Sequence, residues 1–254
     1  MATKVLIAAS EKGKDASEGQ VAATPAVIAS RPCEWTTPGG IQMHCYNPLE
    51  VSFLWEKIFA ENEYGDGGIV YPPGAIIVDV GGNVGVFCHY ADARCAGECT
   101  IIAIEPIPQL FHCLQKNVKA LRANCSLHNV AAGASTECDP ITLDFLPRYS
   151  LLSGSQAHSN CAGYEKLAEL HNLPLDLVQE AFESVEVECP QSTLSDILQQ
   201  EAVSRIDLLK VDCEGAEYDV MLGISETDWP KIQQVTCSCS PFLLIGISHL
   251  SYTQ

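Results

Sequence analysis

One stretch of this chain limits its fold more than any other. Ala75-Ile76-Ile77-Val78-Asp79-Val80 is a short β-branched apolar run, and Gly81-Gly82-Asn83-Val84-Gly85 follows at once. An apolar run with no polar alternation is the pattern of a buried parallel strand. Glycines directly after it mark a tight turn, because they reach φ angles that other residues avoid and let a ligand come close to the backbone. Val84 to Ala93 suits the helix that must follow. A turn from strand to helix of this kind lies where an open α/β sheet holds nucleotide-like ligands.

The same rhythm repeats downstream. Thr100-Ile101-Ile102-Ala103-Ile104 reads as a second buried strand ending at Glu105-Pro106. The spacing predicts a helix over Gln109 to Leu121, with Leu110, Cys113, Leu114, Val118 and Leu121 on one face. Ser126 to Ala131 is a third strand. Thr193 opens a short helix, Ile206 to Asp212 is a fourth core strand, Ala216 to Gly223 the next helix, and Ile232 to Val235 begins a fifth strand. Strands and helices alternating at such short intervals predict a doubly wound parallel sheet. Upstream, residues 1–35 show no sustained periodicity and are expected to be a disordered tail. Residues 36–74 are expected to form a helical lead-in covering the ligand site. Within it Asn47 is a candidate cap, Pro48 stands at the first helical position, and Val51, Leu54, Trp55 and Ile58 form an apolar stripe. Residues 75–254 are the expected core. In it Ile141 to Phe145 alternates as a strand at the sheet's edge or beyond it, and a polar insert runs over residues 150–184.

Composition narrows the partners. Lys and Arg number 14 against 32 Asp and Glu, a formal net charge of −18. A surface so acidic repels phosphate backbones, and there is no run of Lys or Arg to offset it, so no nucleic-acid partner is expected. The 13 cysteines have neither the matched pairs of a zinc site nor a secretory leader beside them. They are expected to be reduced thiols acting as small apolar residues. No apolar run approaches the ~20 residues that span a bilayer. A cytoplasmic protein with no metal and no membrane partner is the resulting expectation.

Three places carry candidate chemistry. In the first, Asp79, Gly81, Asn83 and Gly85 line the glycine turn. Their spacing departs from the dinucleotide pattern G-x-G-x-x-G, since Asn83 stands where the second glycine belongs. Asp79 suits a positively charged ligand end, such as that of S-adenosylmethionine, better than a phosphate. A purely structural glycine turn is the alternative. In the second, Glu105 ends the second strand, where an acidic side chain can accept both ribose hydroxyls. A solvated strand cap is the alternative. In the third, Lys210, Asp212 and Glu214 are expected to project from a strand end beside the first strand. They either serve substrate orientation and proton removal or form a structural ion-pair cluster. Asn129 and Val130, next to His128 at the end of the third strand, are candidates for an adenine edge by position. His89, His112 and His158 have no context that lifts them above ordinary histidines.

Taken together these motifs resemble the FkbM family of methyltransferases. The resemblance rests on Ile77 to Gly85, on Ala103-Ile104-Glu105-Pro106, on His128-Asn129-Val130-Ala131, and above all on Lys210-Val211-Asp212-Cys213-Glu214-Gly215-Ala216-Glu217. It extends from about residue 50 to 235 and includes Phe59-Ala60-Glu61-Asn62-Glu63-Tyr64. The resemblance implies a Rossmann-like doubly wound sheet of class I methyltransferase type, with S-adenosylmethionine as cofactor. Asp79, Gly81 and Gly85 would line its methionine part, Glu105 its ribose, and Asn129 and Val130 its adenine, with Asp212 and Glu214 facing methyl transfer. It also implies O-methylation of a hydroxyl or carboxyl group in a small molecule. One departure is expected: the short stretch after Val235 leaves little room for the antiparallel hairpin that usually completes such a sheet. A catalytically impaired cofactor-binding module is therefore the alternative.

Overall fold

The computed structural model describes residues 31–65, 68–135, 140–148, 150–154, 174–175 and 182–237. The first described element is a hairpin: Cys33–Thr36 (β1) pairs antiparallel with Gln42–Cys45 (β2). The tail expected to reach residue 35 thus gives way to a strand at Cys33, and the lead-in expected to be helical opens with two strands. The cause is local. Gly40, at φ +84°, closes the turn, Thr37 Oγ1 accepts the Ile41 N–H at 3.0 Å, and Met43 and Cys45 are buried on one face. Pro48–Trp55 (α1) then forms as its sequence predicts. Asn47 caps it by accepting the Leu49 N–H at 3.0 Å, and Pro48 occupies the first turn. The helix widens into a π turn over Glu56–Ala60. Val51 and Ile58 are buried, and Leu54 and Trp55 pack against the same core.

The remaining strands are Ala75–Val80 (β3), Cys99–Ile104 (β4), Asn124–His128 (β5), Ala131–Ala132 (β6), Ile141–Phe145 (β7), Val185–Cys189 (β8), Gln191–Ser192 (β9), Leu208–Val211 (β10) and Val235–Cys237 (β11). The remaining α-helices among the described residues with bounds of their own are Val86–Arg94 (α2), Pro108–Asn117 (α3), Leu194–Gln200 (α4) and Glu217–Leu222 (α5). The central sheet has the order β11-β10-β3-β4-β5 and is parallel throughout. From β3 the chain winds outward to β4 and β5, then returns to β3's other side for β10 and β11. That reversal is the switch point of a doubly wound sheet, and it opens a crevice between the carboxyl ends of β3 and β10.

Side chains alternate across the sheet, and each face has its own core. Ala75, Ile77, Ile101, Ala103 and Leu208 pack with Val86, Phe87, Leu110 and Leu114 on one side. Val78, Val80, Ile102, Ile104, Leu209 and Val211 pack with Leu194, Ile197, Leu198 and Val220 on the other. Asp79 and Lys210 fall on the first side by this alternation, and the parallel register sets them directly opposite one another.

One expectation needs correction, and one alternative is decided. The third strand ends at His128, because the Asn129 amide turns aside to bond the carbonyls of Glu105 and Pro106 at 2.8 and 2.9 Å. Ala131–Ala132 pairs instead with Gln191–Ser192. Of the two placements expected for the alternating Ile141–Phe145 strand, the second is found: it pairs antiparallel with Val185–Cys189 in a sheet of two strands beyond the central sheet. Most of the polar insert, residues 1–30, and everything after Cys237, including the expected C-terminal departure, lie outside the described residues. Six of the ten cysteines described are buried, as small apolar residues would be. Among the described residues no helix is long and apolar enough to cross a membrane, and no group of His, Cys, Asp and Glu is placed to hold a metal ion.

Candidate active site

The floor of the crevice is an ion pair. Lys210 Nζ donates to Asp79 Oδ1 at 2.9 Å and to the Gly81 carbonyl at 3.2 Å, and lies 3.9 Å from Asp212 Oδ2. Both partners are buried. Burial raises the Asp79 carboxyl, and the Lys210 charge pulls it back down. Burial alone lowers the Lys210 ammonium, but the charges of Asp79 and Asp212 outweigh it, so the ammonium is held firmly protonated. Lys210 does not project from the strand end. It sits within β10 with its donors directed at fixed oxygens, so of the two roles considered for it, the ion pair describes its geometry.

The glycine turn is shaped by close approach. Gly81 has φ +79°, and a Cβ placed on it would come 1.9 Å from the Asp212 carbonyl oxygen. This position therefore joins the turn after β3 to the turn after β10. Gly85, at φ +89°, would meet Leu114 at 2.8 Å. Asn83 also holds a positive φ, 47°. Its N–H donates to Glu105 Oε2 at 2.8 Å.

Glu105 lies at the end of β4 and is 4% exposed, so it is not a solvated cap. Its second oxygen accepts the Ile107 N–H at 2.9 Å. Burial pushes the carboxyl up to about 7 against the pull of those two N–H groups. Two bonds leave part of a carboxylate's capacity of about four unused. One turn on, in α3, Gln109 Oε1 is buried and has no partner among the described residues. A buried acceptor without a donor is unusual, and its place one turn after Glu105 makes Gln109 a candidate to accept from a ligand. Sequence reading did not single out Gln109, and only its burial reveals it. Asn129 spends its amide on the Glu105 and Pro106 carbonyls, shaping this end of the crevice, and Val130 packs into the neighbouring core. His128 turns to Glu201 at 2.8 Å. His89 is buried against the Asn117 carbonyl, and burial lowers its imidazole.

The other end of the crevice carries carboxylates. Asp212 Oδ2 accepts the Tyr64 hydroxyl at 3.0 Å. Tyr64 comes from the lead-in loop and is buried; the sequence places it at the end of a stretch similar to the family but gives it no role. Glu214 stands at φ +53° on the exposed rim. Partial loss of water, then the charges of Asp212 and Glu217, raise its carboxyl, an effect weakened by its contact with solvent. Glu217 turns back to accept the N–H groups of Cys213 and Gly215, both at 3.1 Å, and so holds the turn that carries Glu214. The crevice thus offers hydrogen-bond acceptors at β4 and negative charge at β10. This fits a ligand with hydroxyls at one end and positive charge at the other, as S-adenosylmethionine has.

The sequence profile described as the methyltransferase FkbM domain matches residues 79–252. The chain is 31% identical over 212 residues to 31-O-demethyl-FK506 methyltransferase FkbM of Streptomyces tacrolimicus, covering 78% of each protein. It is 32% identical over 194 residues to Methyltransferase 1 of Beauveria bassiana, covering 74% of this chain and 72% of that one. Among solved structures, a methyltransferase FkbM from Methylobacillus flagellatus superposes with a TM-score of 0.39 at 14% identity, over 66% of this chain and 32% of that one. The fold stands on the strand order above and not on that superposition.

Proposed function

The chain belongs to the FkbM methyltransferase family, and from that premise we propose that it transfers a methyl group from S-adenosylmethionine to an oxygen of a small molecule. Family membership carries the activity class, S-adenosylmethionine-dependent methyl transfer. The acceptor oxygen is the finer step. It is supported by the relative whose name places its methylation on an oxygen, and by a carboxylate beside the switch point. A secondary metabolite or a sugar is the proposed acceptor class.

The observation that carries this reading is the meeting of Asp79, Gly81, Lys210 and Asp212 in one crevice between β3 and β10. When bound, the cofactor supplies an electrophilic methyl group on a positively charged sulfur. Glu105 and Gln109 would hold the hydroxyl-bearing and adenine end through their acceptors. Asp79, fixed by Lys210, would face the methionine part. Methyl transfer is an in-line displacement, so most of the acceleration comes from placing the acceptor oxygen. Asp212 would take the proton of a hydroxyl acceptor, and Glu214 would stand at the rim where the acceptor enters. A carboxylate acceptor would meet Asp212 and Glu214 as like charges, so a hydroxyl is the favoured group.

Calorimetry with S-adenosylmethionine, S-adenosylhomocysteine and NAD tests the cofactor. Transfer of a radiolabelled methyl group to a panel of hydroxyl, carboxyl and amine compounds tests the acceptor. Both sulfur ligands should bind and NAD should not, and label should appear on hydroxyl compounds. Binding of NAD alone, or label confined to nitrogen acceptors, would overturn the proposal.

A further inference from the structure

We infer that Asn117 is a positioning residue of the glycine turn, and that through it the N-terminal hairpin sets the affinity of the crevice for the methyl donor. The inference rests on the reading of the crevice as an S-adenosylmethionine site.

The turn from Gly81 to Gly85 needs support from outside itself. Asn83 lies at φ +47°, a left-handed conformation that is unfavourable for a residue with a Cβ. On one side the end of β4 supplies the support. The Ile104 carbonyl accepts the N–H groups of Gly81 and Gly82 at 3.0 and 2.9 Å, and Glu105 accepts that of Asn83 at 2.8 Å. On the other side the support is Asn117, the last residue of α3. Its Nδ2 donates to the Val84 carbonyl at 2.7 Å, and Val84 stands between the left-handed Asn83 and Gly85. Asn117 is itself fixed by α2. His89 Nε2 donates to the Asn117 carbonyl at 3.2 Å, while the His89 N–H goes to the Gly85 carbonyl, also at 3.2 Å.

The rest of the Asn117 amide goes to the hairpin. Oδ1 accepts the His44 N–H at 2.7 Å, and Nδ2 donates to the His44 carbonyl at 2.9 Å. The phase of the hairpin makes these groups available. The Thr37 N–H donates to the Ile41 carbonyl, and bonded and non-bonded pairs alternate along an antiparallel ladder. Counted from there, the Glu34–His44 pair turns its backbone polar groups outward. A primary amide matches them with one acceptor and one donor, and its second proton is left for Val84. Asn117 is 2% exposed, so water cannot stand in for any of the three bonds. Hairpin, glycine turn and helix end thus share one side chain. A displaced hairpin either drags the Val84 carbonyl or releases it, and the turn on which the ligand rests changes with it. The hairpin precedes the segment matched to the family, residues 79–252.

Calorimetry with S-adenosylhomocysteine on the full chain is the test, and it needs no acceptor. Asn117→Ala should weaken binding about fivefold or more, the order of one lost hydrogen bond. Thr193→Ala removes a helix cap on the other face of the sheet and measures what lost stability does alone. Its affinity should stay within about twofold of wild type, since distant sites act independently. Urea unfolding at the titration temperature shows that both variants are folded when titrated. A brace with no part in positioning would lower the urea midpoint of Asn117→Ala and keep its dissociation constant within about twofold of wild type. That result overturns the inference. Should Asn117→Ala not fold, hydrogen exchange of the wild-type chain decides. Coupling is reciprocal, so saturating S-adenosylhomocysteine should slow exchange of the His44 amide by about fivefold. The rate is read where low urea leaves it unchanged, so that opening is local and not global. An unchanged His44 rate overturns the inference as well. If S-adenosylhomocysteine does not bind the wild-type chain, the reading of the site falls and the inference with it.

Discussion

Replacing Lys210 by methionine should destabilise the chain far more than its single hydrogen-bonded ion pair suggests at first sight. Methionine retains the length of the aliphatic stem beside Phe87, so packing there changes little. What disappears is the cation 2.9 Å from Asp79 Oδ1. Asp79 is fully buried, and removing one partner from a buried pair leaves a charge with no compensation, which costs about 3–5 kcal/mol. The Gly81 carbonyl loses its donor at the same time. Asp79 escapes part of this cost by taking up a proton, so its folded-state ionisation rises above that of the unfolded chain. A carboxyl shifted in that direction binds more protons folded than unfolded, so stability falls as pH rises through the window between the two values. The variant should therefore be closer to wild type at pH 5 than at pH 8. Asp79→Asn in the same background removes the stranded charge. The double variant should lose less than the sum of the singles, by about 1–3 kcal/mol. Urea unfolding followed by tryptophan fluorescence at both pH values measures all four chains. A single-variant cost below about 1 kcal/mol, the level of an exposed pair, or additivity of the two substitutions, would refute the argument.

Gly81→Ala should cost more than about 2 kcal/mol, since it combines left-handed strain with overlap on a backbone oxygen that cannot swing aside. Gly40→Ala, at φ +84° but with open space around it, should cost only the strain, about 1–2 kcal/mol; equal losses in urea unfolding would argue against the close approach at Asp212. Glu105→Ala should weaken S-adenosylhomocysteine binding by about 1.5–3 kcal/mol, as expected for bonds to a charged acceptor, and an unchanged dissociation constant would remove Glu105 from the site. Glu50, in α1, accepts the Ser150 N–H and hydroxyl at 2.9 and 2.7 Å, and burial pushes its carboxyl up to about 7 from an ordinary 4.5. A raised carboxyl loses stability as pH climbs through that window, so Glu50→Gln should gain relative to wild type between pH 5 and pH 8; a difference in unfolding free energy that is constant with pH would refute it. Thr193→Ala should cost about 1 kcal/mol, because Thr193 Oγ1 accepts the Asp196 N–H that α4 leaves without a partner, and retention of the wild-type urea midpoint would show that the cap is not used.

The features legible in the chain are those set by near neighbours. β3 and β4 are apolar at successive positions because both faces of the strand are covered, and that pattern needs no partner to be seen. The caps at Asn47 and Thr193 and the glycine turn after Val80 depend on a few consecutive residues. So the doubly wound core, its turns and most of its helices are written locally. The N-terminal hairpin was missed because two four-residue strands are too short for alternation to stand out, although Pro38-Gly39-Gly40 marks the turn between them. What Lys210 does depends instead on register. Only the parallel alignment that sets it beside Asp79 turns a charged residue in an apolar strand into half of an ion pair. Asn129 could be placed near the crevice, but its use as a brace between β5 and the end of β4 depends on where two carbonyls point. Gln109 carries no motif that distinguishes it from other glutamines, and Tyr64 closes a stretch similar to the family without any feature that gives it a role. Tyr64 meets Asp212 because the lead-in loop reaches the end of β10 from far away in sequence, and Gln109 becomes a candidate only because packing removes water from its amide oxygen. Local sequence thus determined the sheet and the turn on which a ligand can rest. The tertiary structure decided which charges meet there, because a charge's energy depends on distance and burial, and neither exists until distant segments pack.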